Sequence, residues 1–125
     1  MNIIGNIDKN IYKCVTDDIV TSEVIITDER IEHIKSRHPD DYERFYSYLP
    51  EIIERPDYIL KANKANTAVI LKQIQLNGEK FQLVLKLKTS EDKEAYKNSV
   101  ITFLKINERT WNKYLRNKII LYTRE

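Results

Sequence analysis

The chain has 125 residues, 42% of them hydrophobic and 32% charged, with 21 Lys and Arg against 19 Asp and Glu for a formal net charge of +2. That composition fits a soluble globular domain able to bury about two-thirds of its unfolded surface, and the near balance of charge excludes a histone-like polycation while permitting a local basic patch. Cys14 is alone, so no disulfide framework is expected and a reducing, cytoplasmic setting is the default; no signal-peptide pattern opens the chain and no apolar run approaches the ~20 residues of a membrane span.

Residues 2–15, NIIGNIDKNIYKCV, read as two short strands with a turn near Asp8–Asn10. Residues 17–22 are polar and read as loop, and 24–26 as a short strand or the apolar lead-in to a helix. That helix is the best-marked element of the chain. Thr27 can cap it through its hydroxyl, Asp28 and Glu29 fill the first turn, and Pro39 bars its predecessor from helical geometry. At 100° per residue Ile31, Ile34 and His38 share an apolar stripe, and Arg30, His33 and Arg37 form the neighbouring one. The following DDYERFYSYL is expected to be helical. Its rings (Tyr42, Phe45, Tyr46 and Tyr48) are core or a base-stacking platform. Pro50 then opens a short helix that Pro56 ends.

From residue 57 the hydrophobic period becomes that of strands. One is predicted over 58–62, and two long ones over 67–76 and 79–89, joined by a type I′ turn at Asn77–Gly78. In the second, Phe81, Leu83, Leu85 and Leu87 point one way and Gln82, Val84, Lys86 and Lys88 the other. A charged loop leads to a strand over 98–106. Strict alternation there puts Ser99 and Thr102 on opposite faces, so both can serve one site only across a bulge. Asn107 caps a helix carrying Trp111 and Leu115, Asn117 reads as a left-handed stop, and IILYTRE is a last strand that adds to the sheet. The expected fold is α+β, with N-terminal helices packed on an antiparallel sheet of about four or five strands, as a single domain over residues 1–125.

Imidazole moves protons near neutral pH and guanidinium holds phosphate bidentately, so a helix bearing His33, His38, Arg30 and Arg37 can handle a phosphodiester. The plainer alternative is that both histidines are helix-surface and core-edge residues. Lys86 and Lys88, two apart on one strand, ask for an anion or for a carboxylate from the 79–91 region; Lys105 carries the same ambiguity against a solvated sheet face. Cys14, His33 and His38 lack zinc-ligand spacing, and Gly5 and Gly78 cannot make a phosphate-binding glycine loop. No metal or cofactor is expected, and Cys14 reads as buried and inert.

The segments IITDERIEHIKSRHP and LPEIIERPDYIL, the NG hairpin ending in LVLKLK, then NSVITFLKI and IILYTRE, follow one another in an order that resembles the phage-associated branch of the Barnase–EndoU–colicin–RelE-like (BECR) nucleases. The resemblance covers roughly residues 22–125, leaving 1–21 as an N-terminal extension. It implies a metal-independent endoribonuclease of toxin or phage type, with RNA as substrate, an inhibitor or immunity protein as a further partner, and no membrane. Family sites combine a helix histidine, a basic strand residue and a Ser or Thr on a later strand. In this sequence these fall on His33 or His38, on Lys86 or Lys88, and on Ser99 or Thr102, with Arg30, Arg37, Lys88 and Lys105 on phosphate. A catalytically silent nucleic-acid- or protein-binding module on the same fold stays open. The discriminating feature is whether an imidazole, a strand lysine and a hydroxyl converge.

Overall fold

The computed structural model describes residues 2–124. In chain order these form β1 (Asn2–Asn6), α1 (Lys9–Tyr12), β2 (Glu23–Ile26), α2 (Asp28–Arg37), α3 (Asp41–Phe45), a 3-10 turn (Tyr46–Tyr48) and α4 (Leu49–Glu54). Then come β3 (Tyr58–Lys61), β4 (Thr67–Gln73), β5 (Lys80–Lys86), β6 (Asn98–Ile106), α5 (Glu108–Asn117) and β7 (Ile120–Thr123). The strands make one sheet in the order β1-β2-β6-β5-β4-β3-β7. The fold is α+β.

The alternation in β5 decides what lies on each face. Phe81, Leu83 and Leu85, with Leu87 just beyond, are fully buried against Ile34 of α2, Phe45 of α3, and Leu49, Ile52 and Ile53 of α4. Each such side chain contributes about 1.5–3 kcal/mol relative to exposure. Phe45 meets Phe81 edge-on at 5.0 Å, and Phe81 stacks on Phe103 at 5.4 Å. Of the rings after Pro39, Phe45 serves the core with Tyr42 and Tyr48 packed at its edge, while Tyr46 is exposed and stacks on Tyr42. Tyr12 of α1 is also buried, its hydroxyl donating to the Ile53 carbonyl at 2.7 Å, and burial raises its phenol well above the ordinary range. On the opposite face α5 packs through Trp111, Tyr114 and Leu115 onto Leu60, Val69, Leu71 and Ile106. It covers only one half of that face.

Several expectations change. The sheet has seven strands rather than four or five, and it is mixed, because β2 runs parallel to β6 (Val24 opposite Asn98, Ile25 opposite Ser99). The helices occupy both faces, since α5 lies across the sheet from the others. Residues 9–12 are helix, not strand: the Asp8 carboxylate accepts from the Asn10 N–H and caps them. Asn117 is helical, and the chain leaves α5 through an extended Lys118. The two-residue type I′ turn is absent too. Only Gly78 has positive φ, and the Gly78 N–H donates to the Ile74 carbonyl around a wider loop. Asn77 is held by its side chain instead, donating to the Tyr48 hydroxyl and accepting from the Glu79 N–H. The wider loop moves the register. A tight turn would set Val69 against Lys86, whereas Gln73 pairs Lys80 and Thr67 pairs Lys86.

Other features fall where the sequence puts them. Thr27 caps α2 by accepting from the Arg30 N–H at 3.1 Å, Asn107 caps α5, and β5 lies between β4 and β6 with antiparallel pairing on both sides.

Candidate functional site

The half of the sheet that α5 leaves uncovered carries the polar side chains. Lys86 pairs with Ser99 on one side and Thr67 on the other, and Ser99 pairs with Ile25, so these four residues form a row across β2, β6, β5 and β4. Directly opposed residues share a face with Cβ atoms about 5 Å apart. A bulge completes the face. Val84 pairs with Thr102 and Leu85 with Val100, which makes Ile101 the extra residue of β6. Ser99 and Thr102, three apart, thereby lie on the same side of the sheet as Lys86.

Two hollows meet at Lys86 and Ile101. One, of about 450 Å³, is lined by Arg30 from the first turn of α2, by Asn63 and Lys64 from the β3–β4 loop, and by Thr67, Val84, Lys86 and Ile101 from the sheet. It holds three cations and, among its lining residues, no Asp or Glu. Neither Arg30 nor Lys86 forms an ion pair among the described residues. The second hollow, of about 400 Å³, is mainly apolar, lined by Ile25, Leu87, Ala95, Tyr96 and Ile101 with Thr27, Ser99, Lys88, Asp92 and Lys97 around them.

The β5–β6 loop that walls the second hollow is pinned from several sides. Asn98, fully buried, accepts from the Lys88 N–H at 2.8 Å and donates to the Thr21 and Glu23 carbonyls at 2.8 and 3.0 Å. Asp92 accepts from the Thr89 N–H at 2.8 Å; that bond, helped by the charges of Lys86 and Lys88, holds its carboxyl below the usual carboxylate range. Asp18 accepts from the Ser90 N–H and hydroxyl, and Lys97 pairs with Glu23 at 2.7 Å.

A row of hydroxyls and an unpaired lysine, with an arginine overhead and no carboxylate in the hollow, is an arrangement that binds phosphate. The sequence model of the phage-Barnase-EndoU-ColicinE5/D-RelE like nuclease 2 family, PBECR2, matches residues 1–123. The chain belongs to this family. No curated protein and no solved structure matches it. Membership implies a nucleic-acid substrate, for which a cationic hollow without acidic lining is the expected surface.

In this PBECR2 chain the residues singled out from sequence do not all meet. Arg30, Lys86, Ser99 and Lys88 line the two hollows, and Thr102 faces the same side beside Ile101. The Lys88 ammonium is partly engaged, donating to the Glu94 carbonyl at 3.1 Å. His33 is exposed, one turn beyond Arg30 on the same stripe of α2, and Arg37 is exposed in the last turn. His38 ends α2, its N–H donating to the Ile34 carbonyl and its own carbonyl accepting from the Asp41 N–H, which places it at the far end of the helix from Arg30. Lys105 stands opposite Phe81 and so on the other face of the sheet, paired with Glu79 at 3.7 Å and lying over the Phe45 ring.

Residues passed over in the sequence are Asn63, Lys64, Thr67, Asp92, Tyr96 and Lys97, all lining the cleft. Thr67 could have been found only from the true hairpin register. The rest come from loops, whose alternation carries no signal. Cys14 is half-buried and its thiol is pushed up by burial. Among the described residues no three His, Cys, Asp or Glu side chains gather closely enough to hold a metal ion, and no helix is long and apolar enough to cross a membrane.

Proposed function

We propose that this PBECR2 protein is an endoribonuclease that cuts an RNA strand laid across the open half of the sheet, without a metal ion, by attack of the ribose 2′-oxygen. The observation carrying the proposal is the hollow in which Arg30, Lys64 and Lys86 converge with no carboxylate lining it. The three cations repel one another, with Asp92 on the far side of Lys86 in the neighbouring hollow, and a phosphodiester beside Lys86 is within reach of the flanking Ser99 and Thr67 positions. The Thr67 hydroxyl already donates to the Ala65 carbonyl, so it has a lone pair to offer rather than a proton. Ser99 is the hydroxyl suited to donate to a phosphoryl oxygen.

In this reading the O2′–P bond forms as the 2′-hydroxyl proton passes to the His33 imidazole, and the P–O5′ bond breaks as the Lys86 ammonium delivers a proton to the leaving oxygen. The products are a 2′,3′-cyclic phosphate and a free 5′-hydroxyl. Charge that gathers on the phosphoryl oxygens meets Arg30 and Ser99. A positioned proton-transfer group is worth about 10²–10⁴-fold and a preorganised donor about 10²–10³-fold, so loss of any one of these residues is expected to be visible. The apolar hollow on the other side of Lys86 is the natural seat for the base next to the cut, with Tyr96 to stack on it.

A second reading, a binding module that does not cleave, is favoured by one observation: neither imidazole lines either hollow. End-labelled RNA incubated with the protein in excess chelator separates the two. Cleavage leaving cyclic or 3′-phosphate ends, lost in Lys86→Ala, is the expected result. Cleavage that needs added Mg²⁺ would overturn the mechanism, and binding without cleavage at any pH from 5 to 9 would leave the silent module.

A further inference from the structure

Lysines outside the cleft are unevenly distributed. At the end of the sheet far from Lys86 most of the sheet's cations are paired with acids, Lys72 with Asp57 and Glu51, Arg124 with Asp57 and Lys105 with Glu79, while Lys80 lies over the Trp111 ring. Around the β3–β4 loop they are not. Two further hollows lie against this loop, one of about 490 Å³ and one of about 560 Å³ beside the end of α5. Lys61 lines both, Lys64 lines the first as well as the cleft, and Lys118 lines the second. None of the residues lining these two hollows or the hollow shared by Arg30, Lys64 and Lys86 is Asp or Glu, Asp92 lying in the neighbouring apolar hollow, in a chain where 19 acids nearly match 21 bases. The segregation makes a continuous positive band.

The backbone under the band is held in place. Asn66 takes a left-handed conformation with φ 56°, the Leu87 N–H donates to its carbonyl, and the Lys61 N–H donates to the Ile119 carbonyl. The Lys118 ammonium lies over the Tyr114 ring at 5.7 Å, a contact that positions the charge without neutralising it. Ile119 between them is 61% exposed, an apolar spot among cations. Ammonium groups that form no ion pair among the described residues, carried on a held backbone with an apolar patch among them, suit a flexible polyanion whose bases are free to touch the protein.

We infer that this band is the track for the RNA strand beyond the scissile phosphate. The strand leaves the cleft at Lys64, crosses the β3–β4 loop at Lys61 and runs toward the end of α5 at Lys118. The inference rests on the cleft being the RNA site, but it concerns binding along the strand rather than the chemistry at Lys86.

The test is the double variant Lys61→Ala/Lys118→Ala, both residues being exposed and outside the cleft. Binding of a fluorescent single-stranded RNA is followed against salt concentration, alongside cleavage of a dinucleotide and of the long strand. For single strands each neutralised phosphate contributes about 0.7 to the slope of log affinity against log salt, so the double variant should lose about 1.4 and bind about tenfold or more weakly at 0.1 M salt. The dinucleotide, too short to reach the track, should be cut at the unchanged rate, while KM for the long strand rises. An unchanged slope and affinity would overturn the track. If neither protein cleaves but the slope still falls, the track stands and the catalytic reading fails. If the variant loses dinucleotide cleavage as much as long-strand cleavage, these lysines act on the cleft and the track is refuted.

Discussion

Asn98 offers the sharpest test of how the cleft is held. Its side chain is fully buried and makes three hydrogen bonds, all to backbone: it accepts from the Lys88 N–H and donates to the Thr21 and Glu23 carbonyls. Asn98→Ala removes all three and leaves a donor and two acceptors facing a small void. At about 0.5–1.5 kcal/mol per bond the loss is about 3 kcal/mol. For a domain of this size that lowers Tm by on the order of 12 °C. Urea titration followed by Trp111 fluorescence should show the midpoint fall with an unchanged slope, and any cleavage should fall below its 25 °C value at temperatures where the parent is unaffected. Asn98→Asp adds a sign check. It keeps the acceptor for Lys88 but turns a carboxylate toward two carbonyls, which raises its folded pKa above the unfolded value. Its stability is therefore best below the unfolded carboxylate range and declines as pH rises through the folded value. A loss under about 1 kcal/mol for the alanine variant, or an aspartate variant that gains stability with rising pH, would refute the assignment of Asn98 as the tie between β2, β6 and the β5–β6 loop.

Lys86→Ala and Arg30→Ala are each expected to cut RNA cleavage about 10²-fold or more while moving Tm little, because both side chains face the hollow and neither forms an ion pair among the described residues. His33→Ala should reduce the rate by about 10²-fold at unchanged stability, whereas His38→Ala should cost about 1 kcal/mol and leave the rate nearly intact; the reverse pattern would move the proton transfer to the other end of α2. The lowered carboxyl of Asp92 stabilises the β5–β6 loop above the unfolded carboxylate range and loses that effect as pH falls through its folded value, so Asp92→Asn should flatten the acid side of the stability profile. Burial raises the Cys14 thiol, so its alkylation near pH 8 should be slower than that of a free cysteine and should accelerate in urea.

What the sequence made legible follows from how local each signal is. The α2 helix could be placed to the residue because Thr27, Asp28, Glu29 and Pro39 are all local stop and start chemistry, and the buried face of β5 because four leucine and phenylalanine positions alternate without interruption. The bulge at Ile101 was legible only as a condition, since alternation alone sends Ser99 and Thr102 to opposite faces and nothing in NSVITFLKI marks the extra residue. The β4–β5 register is not legible because Asn77–Gly78 advertises a tight turn, while the Asn77 side chain bonds instead to the Tyr48 hydroxyl, a partner from a different part of the chain. The parallel pairing of β2 with β6 is a long-range feature tied by the buried Asn98, whose hydrogen bonds to residues 75 and 77 positions away leave no mark in the sequence. For the site, the strand residues Lys86 and Ser99 could be named in advance, but Asn63, Lys64, Asp92 and Tyr96 arrive on loops, where period has no meaning.

The position of β6 in the sheet has a consequence for when the proposed cleft is assembled. Strand β6 lies between β2 and β5, so Arg30 and Lys86 share a hollow only once it is in place. The bond from Asn98 to Thr21 spans 77 positions, and that closure must precede any reward from the contacts it makes. During synthesis at about 5–20 residues per second, several seconds separate the appearance of β2 from that of β6. In that interval the β4–β5 hairpin can form by itself and bring Lys64 near Lys86, but Arg30 stays apart from both. The proposed cleft is thus incomplete on a nascent chain, and pulse-labelled hydrogen exchange should find β4 and β5 amides protected before those of β1 and β2.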